Sequence, residues 1–484
     1  MPGFRAIPPA KTRTKGMTST SLHELTATQL IELYKSGKAT PVDATRDVIA
    51  QIARREPELQ ATYAYDPEGA LKTAEESAAR WKNGTPITKD GVTIDGIPTT
   101  IKENIATKGT PVPFGTAATP LVPAEQDAPP SARLREAGAV ILGKTTMPEF
   151  GAMSSGLSSI HPLTRNPWNL KMNPGGSSAG AGAAGAAGYG PLHVGTDIGG
   201  SVRFPAGWNG LVGLKPSLGR VSIDPPFMGR VAGPMTRTVD DAALMMAVLS
   251  RPDPDQRDWM NLPPADINWT DLDMDLTGVK IGLQLDAGCG MPIDPQVIPP
   301  VLEAAKAFEA AGAIIEEVAP WMTDEILQGL NRFWCIRAAK DIADLPPGHR
   351  EKILPIFLEW VEPVPGFTAL EGYRAFQATV DIRKLTVAAT KPYDFMLSPL
   401  SAHISFPAEW GYANNDVTRA HDQIGFTVPY NMSEQPAVSL CCGYDSNGVP
   451  MGLQIAGHRF DDLGVLRMAK AYEQMRPEMR PWPM

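Results

Sequence analysis

Three residues stand out for the chemistry that their types and neighbours allow: Lys102, Ser177 and Ser201. Ser201 closes the string Gly195-Thr196-Asp197-Ile198-Gly199-Gly200-Ser201. Paired glycines before a serine let successive N–H groups turn into one pocket, and such a nest can hold the oxyanion formed when that serine attacks a carbonyl. Taken alone, Gly199-Gly200 reads as an ordinary turn. Ser177 and Ser178 stand before the Ala/Gly run 179–190, at an edge where a helix leaves N–H groups unpaired and favours negative charge. Lys102 ends the apolar stretch 97–101. A lysine is ordinarily a solvated cation. It serves as a base only where burial or a second cation lowers its pKa from ~10.4 toward neutrality.

Three shorter strings invite other readings. Residues 138–145, GAVILGKT, fit the phosphate-loop pattern GxxxxGK[ST]. A phosphate loop must wrap an anion with its backbone, yet Ala139-Val140-Ile141-Leu142 favour a buried strand and the preceding stretch looks helical. That reading is set aside. Residues 180–185, GAGAAG, fit GxGxxG but follow a loop rather than a strand, and Asp197 comes too soon to serve a ribose. Residues 176–180, GSSAG, fit the hydrolase elbow GxSxG. The elbow would need a preceding strand and a late histidine; His403, His421 and His458 are candidates without supporting context, and this alternative stays open.

These residues need elements to position them. A helical period over 22–34 ends at Gly37, and Thr40-Pro41 reads as an N-cap and first helical position opening a helix over 42–55. Another helix spans 67–83, before Gly84. The period changes at 96–102, a short strand with a proline near its start. A helix over 131–137 and a strand over 139–142 follow. Further on come strands at 279–285, 314–318, 395–397 and 451–455, with helices at 300–311 and 462–475. This alternation predicts an α/β fold, a sheet covered by helices. Residues 250–275 read as a surface excursion, 1–20 as a polar tail and 21–484 as one large domain. Glycines 180, 182, 185 and 188 each cost a helix about 1 kcal/mol against alanine, so a helix there persists only if its smallness lets other backbone pack very close.

The chain has 484 residues, 43% hydrophobic and 20% charged, enough to bury a sizeable core. A net charge of −9 argues against nucleic-acid binding and suits a cytoplasmic enzyme. The four cysteines show no CxxC spacing, so neither a zinc site nor a disulfide framework is expected. No apolar run of membrane-spanning length and no secretory leader pattern is present.

Read together, GIPTTIKEN around Lys102, GAVILGKTTMPEF at 138–150, NPGGSSAG at 173–180, GTDIGGSVRFPA at 195–206 and GPMTRTVDD at 233–241 resemble the amidase signature family of serine hydrolases. The order and separations match, and PAVSL at 436–440 and GVPMGLQIAG at 448–457 extend the resemblance towards the C-terminus. The resemblance implies a large mixed β-sheet covered by helices on both faces. It implies a Ser–cisSer–Lys triad: Ser201 as nucleophile, Ser177 as proton relay after a cis bond from Gly176, and neutral Lys102 as base. The N–H groups of Ile198, Gly199, Gly200 and Ser201 would form the oxyanion hole, and Gly151, Ala152 and Met153 would line the acyl pocket. No cofactor or metal is implied. Asp197 and Arg203 also match; a structural pair holding the glycine turn and a solvated ion pair both stay open. Ala179 and Cys441 depart from the usual pattern, and 320–420 matches nothing specific.

Two functions follow from the resemblance. One is a hydrolase of aryl or hydrophobic amides, with carbamates or esters as further substrates, a small-molecule enzyme for which a homodimer is compatible. Met153, Trp208, Phe227, Met228, Phe333 and Trp334 are candidates for an apolar pocket. The alternative is the glutamine-hydrolysing subunit of a tRNA-dependent amidotransferase, which would need partner subunits and ATP.

Overall fold

The computed structural model describes residues 21–484; the tail expected over 1–20 lies outside the described residues. Its frame is one 11-stranded sheet. The strands are β1 (Thr62–Tyr63), β2 (Pro98–Lys102), β3 (Val140–Thr145), β4 (Leu192–Asp197), β5 (Val212–Lys215), β6 (Val231–Thr236), β7 (Lys280–Leu283), β8 (Ile314–Glu317), β9 (Phe395–Pro399), β10 (Ala437–Tyr444) and β11 (Pro450–Gly457). Their order is β1-β3-β2-β4-β6-β5-β10-β11-β9-β7-β8. β2 runs parallel to β3 and β4, and β7 parallel to β8 and β9, whereas β4, β6, β5, β10, β11 and β9 pair antiparallel in succession. The sheet is therefore mixed, as the resemblance implied.

Strand side chains alternate between faces, and the alternation separates a core from a site. Ile101, Val438, Leu440, Leu453 and Ile455 enter the main apolar core with the helices Val239–Leu249, Ile298–Ala310 and Asp462–Met475. Their neighbours Lys102, Ser439 and Gln454 carry polar contacts on the other side, where the helices Ala179–Ala186 and Arg203–Asn209 pack. A second apolar cluster gathers Phe204, Trp208, Leu330, Trp334 and Phe357.

Ala179–Ala186 is helical and wholly buried despite its glycines. A Cβ on Gly180 would lie 2.3 Å from the Ala61 carbonyl oxygen and 2.5 Å from the Thr146 nitrogen, so only glycine admits that approach. The strand expected at 139–142 is β3, and the helix expected over 42–55 is longer, Pro41–Leu59, capped by Thr40 as read. Residues 250–275 form no helix or strand, yet Trp269 and Leu272 leave the surface and join the main core, which a composition-based reading of a polar stretch misses. The stretch 320–420 holds two long helices, Asp324–Ala343 and Ala369–Thr390. Among the described residues no helix is long and apolar enough to cross a membrane.

Candidate active site

Lys102 sits at the C-terminal end of β2 and is fully buried. Its Nζ lies 2.8 Å from Ser177 Oγ and donates to Thr196 Oγ1 at 3.0 Å. No carboxylate of the described residues comes within 4.0 Å of it. Burial first, and then the Arg230 charge, push its pKa well below the ordinary lysine value; Asp197 and Glu103 pull weakly the other way.

Ser177 precedes the buried helix, and the peptide bond joining it to Gly176 is cis. A Cβ at Gly176 would fall 2.3 Å from the Ser155 nitrogen, so the backbone crossing there admits only glycine. Ser178, one residue on, is buried and turned away; its Oγ donates to the Thr196 carbonyl. The elbow reading, which needs an exposed serine near a histidine, finds no support in this geometry.

The glycine turn follows β4. Asp197 lies beneath it and accepts from Gly200 N–H (2.8 Å), Val202 N–H (3.1 Å), Arg203 Nε (3.0 Å), Arg203 Nη2 (3.0 Å) and Asn431 Nδ2 (2.9 Å). Arg203 spends its remaining donors on Thr427 O, Gln454 Oε1 and Asn431 Oδ1. Both side chains are fully buried, so this is a structural pair and not a solvated one. Burial alone would raise the Asp197 pKa, but the Arg203 charge and bonds outweigh it and hold the carboxyl well below its ordinary range. The pair also bears on the expected oxyanion hole. Gly200 N–H points inward to Asp197, because a buried carboxylate needs donors, whereas Ile198, Gly199 and Ser201 line the open cleft and their N–H groups have no acceptor among the described residues.

That cleft opens to solvent, and the space in and before it amounts to about 860 Å³. Ser177, Thr196 and Ser201 line it together with Gly151, Ala152 and Met153, so the sequence-derived candidates converge; Lys102 lies directly behind Ser177. Of the other apolar candidates, Trp334 lines it, while Trp208 packs against His403 and Phe333 against Phe376 elsewhere.

Apart from Trp334, the facing wall was not legible in the sequence. Phe150, Phe357, Trp360 and His421 supply an aromatic end, and the helix Asp324–Ala343 contributes Trp334, Arg337, Ala338 and Asp341. Their spacing of three or four residues puts all four on one helix face. His421 stacks edge-on to Trp334, with its ring nitrogens beside Asn331 Oδ1 (2.8 Å) and Ala152 O (3.2 Å). Burial drives its pKa down to about 4, so it is neutral near pH 7.

Outside the cleft, Lys144 of the discarded phosphate-loop string lies in β3, donating to Ile105 O and to Thr107 Oγ1 (2.9 Å), with its pKa lowered by burial to about 7. Among the described residues no three histidine, cysteine or acidic side chains cluster as metal ligands would.

The family model described as Amidase matches residues 43–466. A glutamyl-tRNA(Gln) amidotransferase subunit of Myxococcus xanthus (strain DK1622) is 33% identical, over 94% of this chain and 97% of its own length. An acylamidase of Rhodococcus erythropolis is 32% identical, over 95% of this chain and 97% of its own. Among solved structures, a bacterial aryl acylamidase of the amidase signature enzymes superposes with a TM-score of 0.84 at 28% identity, covering 94% of this chain and 97% of the other.

Proposed function

The chain belongs to the amidase signature family, and from that premise we propose that it hydrolyses the C–N bond of aryl or hydrophobic amides through an acyl-enzyme on Ser201. The observation that carries the proposal is the 2.8 Å approach of a buried Lys102 Nζ, unpaired with any described carboxylate, to a serine that shares a cleft with Ser201. In the neutral state favoured by burial, the amine accepts the Ser177 hydroxyl proton while Ser177 accepts that of Ser201. Ser201 Oγ bonds to the carbonyl carbon, and the resulting oxyanion accepts from the N–H groups of Ile198, Gly199 and Ser201. The proton then returns from Lys102 through Ser177 to the leaving nitrogen, so the C–N bond breaks with departure of a neutral amine. Water repeats the cycle on the acyl-enzyme.

The aromatic end, built by Phe150, Trp334, Phe357 and Trp360, supports an aryl or hydrophobic group on the substrate, as does similarity to an acylamidase and an aryl acylamidase. Gly151, Ala152 and Met153 flank the acyl side in this reading. Carbamates and esters offer the same carbonyl and extend the substrate class. The net charge of −9 suits a cytoplasmic enzyme, and a homodimer is compatible with this reading.

A second reading, a glutamine-hydrolysing amidotransferase subunit, is favoured by the 33% identity to the Myxococcus xanthus protein. One purified sample tested on aryl amides, alkyl amides, carbamates, esters and glutamine separates the two. Turnover of aryl amides with no glutaminase activity supports the first; glutaminase activity alone supports the second. Ser201→Ala is expected to abolish both hydrolysis and fluorophosphonate labelling, and normal turnover in that variant would sink the mechanism.

A further inference from the structure

Two arginines line the cleft without a close ion-pair partner among the described residues. Arg230 is 9% exposed and stands just before β6. Its only hydrogen-bond acceptors among the described residues are backbone carbonyls, Pro225 O at 2.7 Å and Asn104 O at 3.5 Å. Arg337, half-buried on the cleft face of the helix Asp324–Ala343, lays its guanidinium over the Phe227 ring at 4.0 Å. It has no hydrogen-bond acceptor among the described residues, and no described carboxylate comes within 4.0 Å of either guanidinium. Asp341, one turn further on, lies beyond that distance and sits beside Lys340.

Guanidinium groups are forks of donors matched to a carboxylate, and burying one without a partner is costly. Burial first, and the neighbouring Arg337 charge second, lower the Arg230 pKa to about 10 against the pull of Asp224 and Asp258, so the two cations repel each other. A group that neutralised both would relieve the repulsion and satisfy the donors at once. Arg203 and Arg220, also buried, are paired with Asp197 and Asp462, whereas Arg237 is held by backbone carbonyls alone. Asp341 lines the cleft and acts on Arg337 only from beyond 4.0 Å, so a carboxylate bound in the cleft would be the close partner that the described residues do not supply.

We propose that the preferred substrate carries a free carboxylate, held in the cleft by Arg230 and Arg337. The proposal rests on the amide-hydrolase reading and narrows it, from hydrophobic amides at large to amides that also bear an anionic group.

The test compares N-(4-nitrophenyl)succinamate with neutral 4-nitrobutyranilide, which present the same leaving group and differ in the terminal carboxylate. The wild type should favour the anion in kcat/KM by about tenfold or more, with the preference falling as salt is raised. Arg337→Met should bring the ratio toward one and Arg337→Lys should keep part of it; Arg230→Met, if its thermal transition shows it folded, should act like Arg337→Met. Protection of Ser201 from fluorophosphonate by each compound reads the same preference where turnover is slow. Equal treatment of the two compounds by the wild type, or a ratio unmoved in Arg337→Met, overturns the anion site while leaving the amidase reading intact. A Ser201 that neither labels nor turns over any amide overturns the amidase reading, and this one with it.

Discussion

Replacing Asp197 with asparagine removes one charge from the floor of the glycine turn while preserving its shape. The carboxylate accepts two backbone N–H groups of the turn, two Arg203 nitrogens and the Asn431 amide, all within 2.8–3.1 Å. An asparagine must aim its own NH₂ at some of these donors and leaves Arg203 as an uncompensated buried cation. Breaking one side of a fully buried pair costs about 3–5 kcal/mol. A 484-residue chain unfolding as one unit carries an unfolding entropy of about 1 kcal/mol/K, so the melting temperature should fall by about 3–5 °C at a fixed scan rate. Function should suffer more than stability. Gly200 N–H is released, the turn that presents Ile198, Gly199 and Ser201 loses its anchor, and fluorophosphonate labelling of Ser201 should slow by about tenfold or more. The pH dependence has a defined sign. A carboxyl whose folded pKa is depressed contributes its stability above the unfolded value of ~3.9 and loses it as pH falls through the folded one. The wild-type advantage in melting temperature should therefore be flat at neutral pH and shrink only in strong acid. Wild-type stability and labelling in a folded Asp197→Asn protein would refute the claim that this pair holds the turn.

Three further outcomes follow from the same geometry. Because burial favours neutral Lys102, kcat/KM should rise with pH through its lowered pKa and then level off, and Lys102→Met should lose most activity at every pH; a pH-independent wild type would count against a lysine base. The groups that bias this titration are Arg230, Asp197 and Glu103, so Arg230→Met should move the acid limb to higher pH, read from the same rate profile. In the buried helix, Gly180→Ala meets backbone at 2.3 Å and should destabilise by about 1–3 kcal/mol, whereas Gly185→Ala meets the Leu211 Cδ1 methyl at 2.6 Å, which can yield; equal melting temperatures for the two variants would contradict the packing argument.

The sequence by itself carried the chemistry of one half of the cleft. Lys102, Ser177 and Ser201 were legible because a strand end, a glycine-flanked serine pair and a glycine turn each leave a local signature, and because long strings around them occur in a recognisable order. The phosphate-loop string could be rejected on side-chain type alone, since four apolar residues in succession make a strand, as β3 is. The tertiary structure decided the rest. Arg337 and Asp341 face the cleft beside Trp334, the pocket candidate the sequence had offered, because their helix packs between the helix Ala369–Thr390 and the turn at Gly199, and a helix that buries several faces shows no single apolar stripe to read. Whether Asp197 and Arg203 are solvated or buried depends on Gln454 and Asn431, which arrive from the far end of the chain. Nor does any local pattern say which N–H groups of the glycine turn remain open: Gly200 is committed inward because a buried carboxylate lies beneath it, and that burial belongs to the assembled sheet.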